Sequence, residues 1–230
     1  MPFDLAHFVT LDRQDGSSRA GAEISRDFDT SKPELRLDGH VQMLVERVGG
    51  YATVPAGIGS TATNSATYLG LVEAGAMAMP VDDEDRKLVL HAGVALPTSY
   101  TFRRYTGVTI TSFQPRLVDY PQAAEHPTTG RIGIAMQRFE GSMFAQLDLG
   151  ADWFSGGGAL RVDGALGFDL GDLALMVEST NVYTSNHFQD NGALAVRFRA
   201  GPLQPYAALV GGLVDRRAHL AVTAGLDVPL

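Results

Sequence analysis

The sequence predicts an all-β fold: a single closed antiparallel up-and-down transmembrane β-barrel of about 12 strands. Three observations predict it. Apolar and polar residues alternate with a period of two in segment after segment, most segments are long enough to cross a membrane, and the links between them alternate in length. Successive side chains of a strand point to opposite faces, so each segment has one apolar and one polar face. Spanning strands need about 9–11 residues, whereas globular strands average about 5–6.

The C-terminal segment shows the alternation most clearly. Its apolar face carries Ala218, Leu220, Val222, Ala224, Leu226, Val228 and Leu230, and its polar face carries Arg217, His219, Thr223 and Asp227. A soluble sandwich would bury the apolar face between two sheets. A membrane barrel turns that face to lipid and keeps the charges inside. Because the pattern recurs in most segments at spanning length, the barrel is favoured.

The pattern divides the chain into an N-terminal segment and a barrel. Residues 1–17 are predicted to be a periplasmic tail or a plug, and residues 18–230 the barrel. The predicted strands are 18–26, 34–46, 50–58, 67–79, 86–97, 129–139, 142–153, 159–170, 172–182, 192–200, 203–214 and 217–229.

The links between the predicted strands are sorted by length. Those after even-numbered strands are short, at 47–49, 80–85, 140–141, 171 and 201–202. Those after odd-numbered strands are mostly longer, at 27–33, 59–66, 98–128, 154–158 and 183–191, with 215–216 as the exception. Short periplasmic turns and longer outer loops are the rule for outer-membrane barrels.

Small and aromatic residues have predicted places on the outer surface. Several outward positions are expected to carry alanine, Ala208 among them. Aromatic side chains near strand ends are expected to form interfacial belts. The candidates are Tyr51, Phe139, Trp153, Phe154, Phe168, Tyr183 and Phe198.

Composition excludes several classes of function. A net charge of -8 argues against a nucleic-acid-binding protein, which would carry a basic stripe. The absence of cysteine excludes a disulfide framework, a thiol nucleophile and a thiolate metal site. Hydrolase, phosphate-loop and zinc-protease motifs do not occur. We therefore expect no enzymatic activity, no cofactor and no metal ion.

The whole pattern over residues 18–230 resembles a bacterial outer-membrane β-barrel, of the small, twelve-stranded, porin-like or transporter-like type. The C-terminal strand carries the alternating hydrophobic residues of that class, with Leu230 where the assembly signal usually has an aromatic residue. The resemblance implies a Gram-negative outer-membrane location, membrane lipid as a partner, and contact of the C-terminal strand with the barrel-assembly machinery. The resemblance leaves open whether the barrel forms a homo-oligomer. The N-terminal residues lack a secretory signal peptide, so we interpret the chain as a mature or recombinant form.

The polar faces define the predicted lumen. The predicted lumen-lining residues are Arg36, Asp38, His40, Glu73, His91, Arg131, Asp148, Asp152, Arg161, Asp163, Glu178, Arg197 and His219. Rings of charged side chains set ion selectivity in pores. At the predicted waist, carboxylate side chains outnumber positively charged ones. This excess of negative charge favours the passage of cations. The alternative is that these charges pair across the lumen and brace a closed barrel.

The segment 98–128 is too long for a plain connection and is predicted to be an extracellular gate or constriction. Its candidate gate residues are Tyr100, Phe102, Arg103, Arg104, Tyr105 and Phe113. The predicted function is a narrow channel or transporter for small polar or amphiphilic solutes. Two alternatives stay open: a non-conducting structural outer-membrane barrel, and a soluble all-β ligand-binding protein.

Overall fold

The structure is a computed structural model that describes residues 7–11, 14–28, 34–60, 65–69, 72–96, 128–155, 157–185, 188–214 and 217–230. Among these residues, no helix is long and apolar enough to cross a membrane. The strands are β1 (Arg19–Asp27), β2 (Glu34–Val45), β3 (Val48–Ser60), β4 (Ser65–Leu69), β5 (Val72–Asp82), β6 (Arg86–Leu96), β7 (Thr129–Glu140), β8 (Met143–Phe154), β9 (Gly157–Asp169), β10 (Leu173–Thr184), β11 (Phe188–Phe198), β12 (Gln204–Val214) and β13 (Arg217–Pro229).

These strands form one closed antiparallel barrel. β4 and β5 both pair with β3, in registers that differ by one residue, so together they form a single strand of the wall. The barrel therefore has 12 strands, and the predicted fold is confirmed. It closes where β1 pairs with β13, from Arg19↔Pro229 to Asp27↔Ala221. Pairing of the first strand with the last removes the open edges that a sheet would otherwise expose to lipid, where unpaired backbone groups are not tolerated.

The two ends of the barrel differ in their connections. At the turn end, β2–β3, β5–β6, β7–β8, β9–β10 and β11–β12 are joined by two to five residues. Gly141 and Gly171 have positive φ values of 60° and 95° in two of these turns, a conformation that glycine adopts without steric cost. At the opposite end, the loop end, β6 and β7 are separated by residues 97–128.

The predicted sorting of links by length is only partly correct. At the loop end, only residues 155–156, 185–187 and 215–216 separate three of the strand pairs. The strands extend further than predicted, because polar and glycine residues such as Gly157 and Gln189 continue the ladder. The contrast between the two ends therefore depends mainly on the connections 28–33 and 97–128.

Large apolar side chains cover the outside of the barrel. Examples are Leu37, Leu147, Leu166, Leu175, Leu194 and Leu209, all of which are exposed. Exposed aromatic residues lie near both ends: Phe28, Trp153, Tyr183 and Phe188 at the loop end, and Phe168 and Phe198 at the turn end. An apolar band between aromatic girdles is the surface that a barrel presents to lipid.

Four residues that were predicted to face outward point to the interior. Tyr51, Phe139 and Ala208 are buried, and Phe154 packs on the buried Val182. They occupy the strand positions that alternate with the exposed residues, so the phase of the strand rather than side-chain polarity sets their direction. The predicted belt is therefore wrong for Tyr51, Phe139 and Phe154, and the outward assignment is wrong for Ala208.

Candidate functional site

The candidate site is the interior of the barrel, where most ionisable side chains of the strands lie. Of the predicted lumen-lining residues, 12 have described side chains, and all of these are buried: Arg36, Asp38, His40, Glu73, His91, Arg131, Asp148, Asp152, Arg161, Asp163, Glu178 and Arg197. His219 pairs through its backbone with Gly212, and its side chain is outside the described part of the chain. The candidate gate residues between 97 and 127 also lie outside the described residues.

One group of charges links four strands towards the loop end. Arg131 contacts Glu73 and Asp152, with nitrogen–oxygen distances of 3.1 Å in both cases. The other oxygen of Asp152 lies 3.2 Å from Arg161, and the Tyr51 hydroxyl donates to Glu73 at 2.9 Å. We call these five residues the loop-side cluster. All five are buried, and the charges among them are compensated by one another.

Glycines in neighbouring strands make room for rings inside the barrel. The Tyr51 ring covers Gly75 and Gly93, and the His91 ring covers Gly133, so a Cβ at any of these glycines would overlap the ring. The Tyr51 and His91 rings meet edge to face, with centroids 6.2 Å apart. The missing side chains of these three glycines thus provide the space that the two rings occupy.

A second group of charges surrounds Asp227 near the turn end. One carboxylate oxygen of Asp227 lies 2.8 Å from His40 Nε2. The other accepts from Arg197 at 2.7 Å and from Arg19 at 3.4 Å. Arg197 also stacks on the Tyr206 ring, 4.5 Å from its centroid, as a cation–π contact.

Residues that precede β1 in the chain also contact these charges. Asp15 accepts from Arg19 at 2.8 Å and from the Gln42 amide at 2.9 Å. His7 Nδ1 contacts Asp15 at 2.9 Å, and Arg197 Nε donates to the His7 carbonyl at 3.2 Å. Residues 7–11 and 14–17, which we call the interior segment, are thereby joined to β1, β2 and β11.

The pKa values of His7 and Asp15, the two ionisable side chains of the interior segment, are both lowered. Burial lowers the pKa of His7 from its ordinary value of 6.5, against an opposing effect of Asp15. Burial disfavours ionisation of Asp15, but the charge of Arg19 and the contact with His7 outweigh it. The pKa of Asp15 is therefore held far below its usual range.

Glu178 of β10 binds the backbone of the interior segment. The Val9 N–H donates to one carboxylate oxygen at 2.8 Å. The N–H and hydroxyl of Thr10 both donate to the other oxygen. A carboxylate that accepts several donors in a buried site forms charge-assisted hydrogen bonds, which are about twice as strong as neutral ones.

Apolar side chains of the interior segment fill a groove inside the barrel. Phe8, Val9 and Leu11 are buried, and the Phe8 and Phe144 ring centroids lie 5.1 Å apart. We call the wall beneath them the alanine groove; its residues are Ala165, Ala174, Ala193, Ala195, Ala208 and Ala221. Small residues at inward positions of five successive strands leave the volume that the segment occupies. That run of inward alanines is the sequence signal that could have revealed this groove.

The interior carries more negative than positive side chains. Among the buried described residues there are nine carboxylates (Asp15, Glu23, Asp38, Glu73, Asp148, Asp152, Asp163, Glu178 and Asp227) and five guanidiniums (Arg19, Arg36, Arg131, Arg161 and Arg197). Asp148 and Asp163 are cross-strand partners on β8 and β9. Within the described part of the chain, no group of three or more His, Asp or Glu side chains is arranged to hold a metal ion.

A closed twelve-stranded wall with apolar residues outside and charges inside identifies the class of structure. The fold is that of a bacterial outer-membrane β-barrel. The chain is similar to the KdgM porin, with a TM-score of 0.60 and 10% identity over 92% of this chain and 99% of that one. The same values apply to the KdgM porin in complex with disordered oligogalacturonate.

Other solved structures share the fold. The translocator domain of the autotransporter NalP from Neisseria meningitidis matches with a TM-score of 0.56 and 10% identity, over 93% of this chain and 89% of that one. LpxR from Salmonella typhimurium matches with a TM-score of 0.54 and 11% identity, over 93% of this chain and 100% of that one. No protein-family model and no curated protein sequence matches the chain. At these identities the likeness establishes the fold.

Proposed function

We propose that the protein is a narrow passive channel of the outer membrane for small polar solutes, closed from within by the interior segment. The observation that carries this proposal is the seating of residues 7–11 in the alanine groove, with two backbone N–H groups on Glu178. A barrel whose strands alone filled the lumen would have no space for a separate segment. Twelve strands lie between small filled barrels and wide aqueous pores.

The charges inside favour cationic or neutral solutes. Among the described residues, buried carboxylates outnumber guanidiniums, which favours an electronegative passage, and rings of carboxylates select for cations. The KdgM porin has been captured with oligogalacturonate, which is a polyanion. An interior with this surplus would repel such a solute, so we propose a different solute class for this chain.

The conductance of single barrels tests the proposal. A chain that begins at Ser18 keeps all the strands and the hydrogen bond between the Leu230 N–H and the Ser18 carbonyl. In planar bilayers this chain should conduct and prefer cations, whereas the full chain should stay mostly closed. A chain that begins at His7 is the matched control, because it keeps the described interior segment, and it should stay closed like the full chain.

A non-conducting structural barrel is the second candidate. The loop-side cluster favours it, since Arg131 and Arg161 connect β5, β7, β8 and β9 through buried ion pairs. Such pairs brace a wall without a passage. If the chain that begins at Ser18 inserts into bilayers and carries no current, the structural role replaces the channel.

A further inference from the structure

A shallow groove crosses the outer wall of the barrel on β7–β10, on the surface that faces lipid. Its volume is about 600 Å³. Ala145 and Gly164 form its floor, and the side chains around them are Met136, Leu147, Leu166 and Val177. A Cβ at Gly164 would meet only the Gln146 carbonyl oxygen, at 3.9 Å, so the floor has open space above it.

Two arginines stand beside this outer groove near the turn end. Arg138 is the cross-strand partner of Ala145 on β8 and of Arg86 on β6. The side chains of Arg138 and Arg86 are 74% and 67% exposed. Arg86 contacts Asp83 at 2.7 Å, and Arg138 lies 3.6 Å from Glu140. Each guanidinium has five N–H donors, so each retains donors for a further anion.

Both arginines lie near strand ends at the turn end, where the membrane interface of a barrel is expected. A cation on the lipid-facing side of a barrel costs about 2–4 kcal/mol at the midplane and about 0–1 kcal/mol near the interface. Arg138 lies two positions before the end of β7, and Arg86 is the first residue of β6. Long cationic side chains at such positions place their charged ends in the interface. Guanidiniums bind phosphate through paired hydrogen bonds.

We propose that the outer groove and the arginine pair form a binding site for one anionic phospholipid. Its phosphate lies between Arg86 and Arg138, and one acyl chain lies over Ala145 and Gly164. The apolar floor beside two guanidiniums, which keep N–H donors beyond their contacts with Asp83 and Glu140, fits a ligand that is apolar at one end and anionic at the other. The site is on the outside of the barrel, so it does not depend on the proposed channel.

Native mass spectrometry of the delipidated full chain tests this site. The probes are phosphatidylglycerol, which is anionic, and phosphatidylcholine with the same acyl chains, which has no net charge. The barrel should retain one phosphatidylglycerol with about tenfold preference, equivalent to ~1.4 kcal/mol. The double variant Arg86→Gln/Arg138→Gln should reduce retention of phosphatidylglycerol to that of phosphatidylcholine. Equal retention of the two lipids by the unmodified chain would overturn the proposal, and that comparison needs no variant to fold.

A matched pair of glycine variants tests the groove. Gly164→Leu fills the floor and should abolish the single phosphatidylglycerol adduct. Gly192 of β11 is exposed on another part of the wall, and its nearest neighbour to an added Cβ is also 3.9 Å away. Gly192→Leu should therefore bind lipid like the unmodified chain. Identical lipid adducts in both variants would contradict the site. A dimer of barrels that only Gly164→Leu dissociates would also contradict it, because a second copy of the chain would then occupy the groove.

Discussion

The two halves of the barrel interior are packed in different ways. In the loop-side cluster, arginines pair with carboxylates of nearby strands, and all these partners belong to the wall. In the half that holds the alanine groove, the wall is lined with small residues, and Phe8, Val9 and Leu11 supply the missing volume. Breaking contacts in the first half disrupts the wall itself. Breaking them in the second half is expected to release a segment that is not part of the wall.

This difference assigns separate roles to the two kinds of buried charge. The ion pairs of Arg131 and Arg161 join residues of the wall only, so removal of one partner is expected to weaken the wall. Glu178 and Arg197 bind groups of the interior segment, so their partners leave when the segment leaves. The comparison predicts that variants in the first half change unfolding, whereas variants in the second half change access to the N-terminus.

The largest expected effect is in the loop-side cluster. Asp152→Ala leaves Arg161 buried without this carboxylate, and removal of one partner from a buried ion pair costs about 3–5 kcal/mol. Unfolding of the barrel by urea in lipid vesicles measures the loss. Asp172→Ala, in an exposed turn, is the control and should be neutral. Equal stability of the two variants would show that the cluster does not brace the wall.

A smaller effect is expected in the alanine groove. Ala195→Phe places a ring where the interior segment packs, and overpacking of this kind costs about 1–3 kcal/mol. The segment should leave the groove and become cleavable by protease, while the barrel remains folded. Leu194→Phe changes the neighbouring outward position, which is 63% exposed, and should leave the segment protected. Protection in both variants would mean that the groove does not hold the segment.

The smallest expected effect is a dependence of segment docking on pH. Because burial lowers the pKa of His7 below 6.5, the released segment binds a proton more readily than the docked one. Docking is therefore strongest above pH 6.5 and weakens as the pH falls below it. The low pKa of Asp15 has the same sign but acts only in stronger acid. Protease cleavage of the segment should be faster at pH 5 than at pH 8, and His7→Gln should reduce that difference.

The wall of this barrel could be predicted from the sequence, because a period of two fixes which side chains share a face. Buried and exposed residues alternate as expected in β8 and β10, and each predicted strand overlaps an observed one. For the N-terminal residues the sequence left a periplasmic tail and a plug as alternatives, because they have no periodic pattern and partners such as Glu178 and Arg197 are distant in sequence. Ala208 and Tyr51 were misassigned because alanine and tyrosine fit either face of a strand. Their direction depends on neighbouring strands such as the one that carries Gly75.

The most direct test of the account is the accessibility of position 9 from water. The chain has no cysteine, so Val9→Cys introduces a single thiol, and Ser142→Cys in an exposed turn provides the reference. Both chains are treated with a charged maleimide that does not enter the hydrocarbon, in lipid vesicles made leaky so that the reagent reaches both faces. The account predicts that the thiol at position 9 reacts far more slowly than the one at position 142, and that adding Ala195→Phe removes the difference. Equal rates in the two single-cysteine chains would contradict an interior segment.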